Sequence, residues 1–437
     1  MKEHSAYILI IAFYLMAYTI APIIGPALPE TWRPFGFWQW GRISAWAMPF
    51  IAMGIFIIAW RISTIRIDRW RISRMIFGTP AGNALLFIIF TAIFIMLSNN
   101  FLNYDSKLFP EKFITDVPIR GAHITHDEIL ELYIHSKFWQ LTNNLFGWDV
   151  IFSYQVINSI AGGAFVVLFG RFTHKFLAEH AAAWFLLAFT GGYIGIFFGD
   201  PENYTLTATL LMLYFLISGL YIKDKVSILA PSIVLIVAAS FHLLSFFLAP
   251  SLLYLFMLEW KKGRLIRVLT SVAAMAGYFI AVLIFFHFNG LPLSDLYYHS
   301  HAMGHGGNVL GHISRPDPWY IYQMLNLGFL IAPYFVLYIP LLVWRRIARS
   351  NFNRFLGVAS IMMFAFLALW RSLIAINEDW NLYAIAGLVF ALHVWYNFLQ
   401  IQDMKHKRII ACALFSLMAS HSLSWVIANH FNLPLTP

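Results

Sequence analysis

Apolar residues in this chain come in long blocks separated by short polar stretches, not in alternation with polar ones. Thirteen blocks stand out, at about 7–25, 44–60, 84–99, 150–170, 182–199, 204–222, 227–241, 243–258, 265–288, 323–344, 356–372, 381–400 and 409–428. About 20 helical residues at 1.5 Å rise each cross the roughly 30 Å hydrocarbon core of a bilayer. Each block therefore predicts a transmembrane helix. The stretch 227–258 is too long for one crossing and is divided at His242. The first block, from Tyr7 to Pro26, lacks a small-residue cleavage pattern and is expected to be a retained span.

Composition agrees with the pattern. Of 437 residues, 60% are hydrophobic and only 11% charged, against about 25% charged in an ordinary soluble domain. The expectation is an all-α polytopic bundle of about 13 transmembrane helices forming a single membrane domain over residues 1–437. The net charge of +9 does not point to nucleic acid, because no basic run interleaved with aromatics stands away from an apolar block. Its distribution is informative instead. With the N-terminus inside, 21 of the 29 Lys and Arg residues fall on inner loops and 14 of the 20 carboxylates on the outer side. Basic residues collect on cytoplasmic loops, so the chain is expected in the cytoplasmic membrane with loops 100–149 and 289–322 outside. The lone Cys412 excludes a disulfide framework or a cysteine metal site.

Long loops in a compact membrane protein are where function concentrates. The first contains His126-Asp127-Glu128, followed by Leu130, Tyr133, Ile134, Phe138 and Leu141 at three- and four-residue steps. This is an amphipathic juxtamembrane helix, expected in the outer interface with Thr125 and Glu128 as a capping box. Its acidic start either complements the helix dipole or carries chemistry. A second outer motif, Asp200-Pro201-Glu202-Asn203-Tyr204, sets two carboxylates between adjacent blocks. Such groups are costly near a membrane unless they meet water, a cation or a polar substrate. The third, around His299, His301, His305 and His312 with Arg315, either binds a polar ligand or holds a metal, although its spacings match no helical ligand pair. Its glycines give it the freedom to order over a substrate. Arg371 either snorkels or grips a phosphate.

Taken together, Asp127-Glu128 opening a juxtamembrane helix, Phe146-Gly147-Trp148 and Asn158-Ser159-Ile160-Ala161-Gly162 entering the next span, and Glu202-Asn203-Tyr204 leading into the sixth resemble the GT-C superfamily of integral-membrane glycosyltransferases. That superfamily takes sugars from polyprenyl-phosphate donors and includes protein O-mannosyltransferases and lipid A aminoarabinose transferases. His126-Asp127-Glu128 stands where the family has Asp-x-Asp, and the family's usual Arg is absent from Asp200 to Tyr204. No large soluble domain is expected after the last span.

The resemblance implies sugar transfer on the outer face to a lipid, glycan or protein hydroxyl, with inversion. It implies Asp127 as general base, assisted by Glu128 and Glu202. Asp200, Tyr204, His242, His301, His305, Arg315 and Arg371 are the expected substrate-binding residues. No cofactor is required by this chemistry and no metal ligands are assigned, with a divalent cation (Mg or Mn) left open. Two other classes remain: a transporter or flippase for a lipid-linked or polar solute, and a metal-handling membrane protein built on the loop histidines. Carriers usually place ionisable groups mid-membrane, whereas the carboxylates here group at the outer ends of the blocks.

Overall fold

The computed structural model describes residues 3–29, 32–37, 39–64, 69–100, 128–288, 318–370, 376, 379–402, 404 and 406–433. Among these there are helices and turns but no strand. The α-helices are α1 Glu3–Ile24, α2 Gln39–Ile43, α3 Met48–Thr64, α4 Arg69–Phe77, α5 Pro80–Met96, α6 Ile129–Phe146, α7 Val150–Phe176, α8 Ala181–Ala188, α9 Thr205–Ile222, α10 Leu229–Phe241, α11 Ala249–Lys261, α12 Leu265–Phe288, α13 Pro318–Ile331, α14 Tyr338–Val343, α15 Asn351–Leu369, α16 Trp380–Gln400 and α17 Lys407–His430.

Among the described residues eight helical segments are long and apolar enough to cross a membrane, or ten if each of two bent pairs counts as one span. The expected thirteen blocks exceed this count for physical reasons. Blocks 44–60 and 227–241 become the short helices α3 and α10. Block 182–199 is not one helix: α8 stops at Ala188 and a 3₁₀ turn, Gly192–Phe197, follows. There the backbone is pressed against its neighbours. A Cβ on Gly192 would lie 2.1 Å from the Leu330 carbonyl oxygen and 2.6 Å from the Trp425 ring, a close approach that only glycine permits.

Local signals explain the other boundaries. Asp149 caps α7 by accepting from the Phe152 N–H at 2.7 Å, and Gly147, at φ +69°, ends α6 in the left-handed region. Thr79 caps α5 just before Pro80, where the chain bends 67° away from α4.

The core is aromatic, and α16 lies at its centre, wholly buried over its most apolar stretch. By contrast α12 is only 6% buried there, so an almost bare apolar cylinder faces outward, as lipid contact requires. The α5–α7 pair packs closely through small residues. A Cβ on Gly162 would reach 2.7 Å from the Phe94 ring, and one on Gly163 would reach 3.0 Å from the Phe87 carbonyl oxygen.

Helix α6 departs from the interfacial expectation in an informative way. Its buried stripe consists of Glu131, Leu132, His135, Ser136 and Thr142, while Leu141, Leu145 and Phe146 are exposed. The polar stripe turns into the bundle and the apolar residues point out. Lipid takes the apolar face at no cost, so the polar face is free to pair with partners inside the protein.

Candidate active site

Six segments converge at one end of the bundle: the residues after α5, the start of α6, the first turns of α7, the turn Asp200–Tyr204, the end of α10, and the start of α16. Glu128 occupies the N-cap position of α6, three positions before the place a capping box would give it inside the first turn, and its side chain does not cap the helix. It is 5% exposed and reaches across the site. Asn203 Nδ2 donates to its Oε2 at 2.8 Å, and His242 Nε2 stands 3.3 Å from its Oε1. The tautomer of His242 follows from its other nitrogen. Helix α10 ends at His242, where Nδ1 accepts the Leu244 N–H at 3.0 Å. The proton of the neutral ring is therefore on Nε2, facing the carboxylate. The Tyr204 ring lies 5.1 Å from the His242 ring, so these two expected substrate-binding residues come together.

One turn along α6, Glu131 is fully buried. Thr207 Oγ1 donates to one of its oxygens at 3.2 Å and the Leu206 N–H approaches the other at 3.4 Å. Burial pushes its carboxyl well above the usual range, and the like charge of Glu128 adds to this against those hydrogen bonds. A turn further, His135 stacks on Tyr154 with ring centroids 4.1 Å apart. Its Nδ1 meets the Glu131 carbonyl at 2.9 Å and its Nε2 meets Asn158 Oδ1 at 3.1 Å. Burial lowers this imidazole to about 4, those two hydrogen bonds opposing it in part. The neutral ring carries one N–H and so donates to one of these two acceptors at a time.

Asn158 joins α7 to the acidic turn, donating to the Asp200 carbonyl at 2.5 Å and the Glu202 carbonyl at 3.3 Å and accepting from the Thr205 hydroxyl. Tyr154 donates to Asn203 Oδ1 at 3.0 Å. Asp200 and Glu202 are both buried, so the turn does not hold its two carboxylates in bulk water. Asn99 Nδ2 donates to Asp200 Oδ1 at 2.8 Å, and the Asn381 side chain also favours its charged form. Burial raises the Asp200 carboxyl to about 7 in spite of these two amides.

Four carboxylates, Glu128, Glu131, Asp200 and Glu202, thus share one buried, amide-lined end of the bundle. Two solved structures have a similar arrangement of helices. One is ArnT from Cupriavidus metallidurans bound to undecaprenyl phosphate, at TM-score 0.52 and 10% identity over 81% of this chain and 78% of that chain. The other is the same protein in the apo state, at TM-score 0.51 and 11% identity over 80% and 77%. The fold is ArnT-like. At this identity the likeness concerns the fold. No family model matches the chain, and no curated protein matches it in sequence.

Of the expected site residues, Glu128, Asp200, Glu202, Tyr204 and His242 are brought together. Asp127, His301, His305, Arg315 and Arg371 lie outside the described residues. The Trp370 carbonyl accepts from the Tyr320 hydroxyl at 2.6 Å and the Tyr383 hydroxyl at 3.3 Å. Among the described residues no group of three or more His, Cys, Asp or Glu could hold a metal ion. Glu131 and His135 belong to the site and escape the sequence reading. Their spacing of three and seven residues from Glu128 repeats a helical face and is the available signal. Asn99 and Asn381 carry no signal, since they come from opposite ends of the chain.

Proposed function

We propose that this protein is a membrane glycosyltransferase that moves a sugar from a polyprenyl-phosphate donor to a hydroxyl of a lipid, glycan or protein on the outer face of the cytoplasmic membrane. The observation that carries this reading is the Glu128 clamp to Asn203 and His242. It ties the start of the juxtamembrane helix to the acidic turn, in a fold shared with an ArnT solved bound to undecaprenyl phosphate. Five buried carboxylates, Asp379 included, at a single end of the bundle favour it over a carrier, which would place such groups along a path across the membrane.

In the proposed step the acceptor hydroxyl oxygen attacks the anomeric carbon from the face opposite the lipid phosphate. The bond from that carbon to the phosphate oxygen breaks, the phosphate leaves with the electron pair, and the sugar inverts. The hydroxyl proton passes to Asp127, one peptide link from the anchored Glu128. Glu128 and Glu202 act as positioning groups. Arg371 and Arg315 provide positive charge for the donor phosphate, and His301 and His305 supply hydrogen bonds to the sugar. The step as written uses no metal ion or other cofactor.

A transfer assay with purified protein and a polyprenyl-phosphate sugar tests the reading. Asp127→Asn lowers turnover by about 10²- to 10⁴-fold, the usual contribution of a positioned base, with folding and donor binding intact. Near wild-type transfer in that variant overturns the assignment.

A further inference from the structure

At the opposite end of the bundle, one length of α9 away (18 residues, about 27 Å at 1.5 Å per residue), the turns α9–α10 and α11–α12 enclose a cleft of about 880 Å³. Its lining carries Lys225, Lys262, Arg264 and Arg267 against two carboxylates, Asp224 and Glu259. Those acids are committed to the protein. Lys262 Nζ pairs with Asp224 Oδ1 at 2.6 Å, stapling one turn to the other. Glu259 is 1% exposed and accepts from the Tyr221 hydroxyl at 2.7 Å on Oε2. Both arginines share its other oxygen, at 3.8 Å for Arg264 and 3.5 Å for Arg267. These distances exceed those of a hydrogen bond, so both guanidinium groups keep donors for another anion. Among the described residues Lys225 pairs with no carboxylate. The cleft therefore holds a surplus of two positive charges, on side chains that are about half exposed.

Its outer wall is the start of α12, a largely bare helix, where Ile266 is 79% and Leu269 59% exposed. A ligand matched to both the basic cleft and this apolar edge carries an anionic group joined to apolar chains, as an anionic lipid does. We propose that this cleft binds a phosphate-bearing headgroup, that of an anionic lipid in the leaflet away from the carboxylate site, with its acyl chains lying along α12. Basic side chains at a membrane surface each favour an anionic lipid, and the guanidinium fork matches phosphate geometry.

The test uses the full chain purified in detergent and native mass spectrometry to measure bound dioctanoyl phosphatidylglycerol and dioctanoyl phosphatidylcholine, with inorganic phosphate as competitor. Phosphatidylglycerol should bind at least about tenfold more tightly than phosphatidylcholine. Lys225→Gln with Arg264→Gln should abolish about that preference, since each cation contributes a comparable increment. Arg267 and Tyr221 remain to hold Glu259. A control pair, Arg349→Gln just before α15 with Arg354→Gln in its first turn, removes the same charge from elsewhere on the protein and should bind as wild type. If the first pair fails to fold, the exposed Lys225→Gln alone should show a loss of about fivefold. Equal binding of the two lipids, an unaffected Lys225 variant, or a control pair that loses as much would each overturn the proposal. Competition by inorganic phosphate at concentrations equal to the lipid would overturn the lipid assignment.

Discussion

Replacing Glu128 by Gln preserves shape, removes one charge and sets a buried donor against a donor. In the native site both carboxylate oxygens face donors: Asn203 Nδ2 at 2.8 Å and His242 Nε2 at 3.3 Å. A glutamine amide offers one acceptor and one donor, so in either orientation its NH₂ meets a donor. An unsatisfied buried donor costs about 1–3 kcal/mol, and the lost charge-assisted bond brings the expected total to about 2–4 kcal/mol.

Asn203→Asp alone creates the opposite conflict, two carboxylate oxygens 2.8 Å apart. Two full charges at that distance repel by about 6 kcal/mol at an effective dielectric of about 20, relieved when one takes up a proton. The two changes together restore complementarity. The amide at position 128 donates to the carboxylate at position 203, which still accepts from the Tyr154 hydroxyl, and His242 keeps an acceptor. Unfolding free energies of the four proteins in SDS titrations should show a coupling of at least about 2 kcal/mol, with the double variant more stable than either single one. Because Glu128 is held by two protein donors, it positions the site, and sugar transfer should recover together with stability. Additivity to within about 0.5 kcal/mol would refute the hydrogen-bond geometry. Stability restored with transfer still absent would make the charge at position 128 part of the chemistry.

Arg371→Ala should weaken donor binding by about tenfold or more while leaving expression unchanged, as expected for loss of a phosphate contact; unchanged binding of a labelled polyprenyl phosphate removes Arg371 from the site. The Asp200 carboxyl is raised to about 7 by burial, so the folded state binds this proton more tightly than the unfolded chain. The corresponding stability is complete below about pH 4 and is lost as pH rises through 7, up to about 4 kcal/mol in all. Asp200→Asn should flatten that decline in a thermal unfolding series between pH 5 and 8, and a slope equal to wild type would exclude Asp200 as its source. Gly192→Ala should destabilise by about 1–3 kcal/mol or more, because its Cβ meets the Leu330 carbonyl oxygen at 2.1 Å; an unchanged unfolding midpoint would mean that the α8 break is not tightly packed.

Runs of apolar residues are a local property, and the all-helical membrane class could be read directly from them. The bilayer turns each run into a helix without reference to any distant residue. The length limit on a single crossing likewise puts a break at His242, and the three- and four-residue apolar steps after Glu128 mark the juxtamembrane helix. Other features depend on residues far apart in sequence. The block 182–199 reads as one span, yet close packing of Gly192 against Leu330 and Trp425 breaks it. The inward rotation of the α6 polar face could not be chosen from sequence, because an amphipathic pattern shows that two faces differ and not which one meets protein when lipid is the solvent. The site depends most on the tertiary structure. Glu128, Asn203 and His242 meet, and Asn99, Asp200 and Asn381 gather, only because α5, α6, α10 and α16 end at the same level. Buried carboxylates need partners from several elements, and where those elements converge is decided by the packing of the whole bundle.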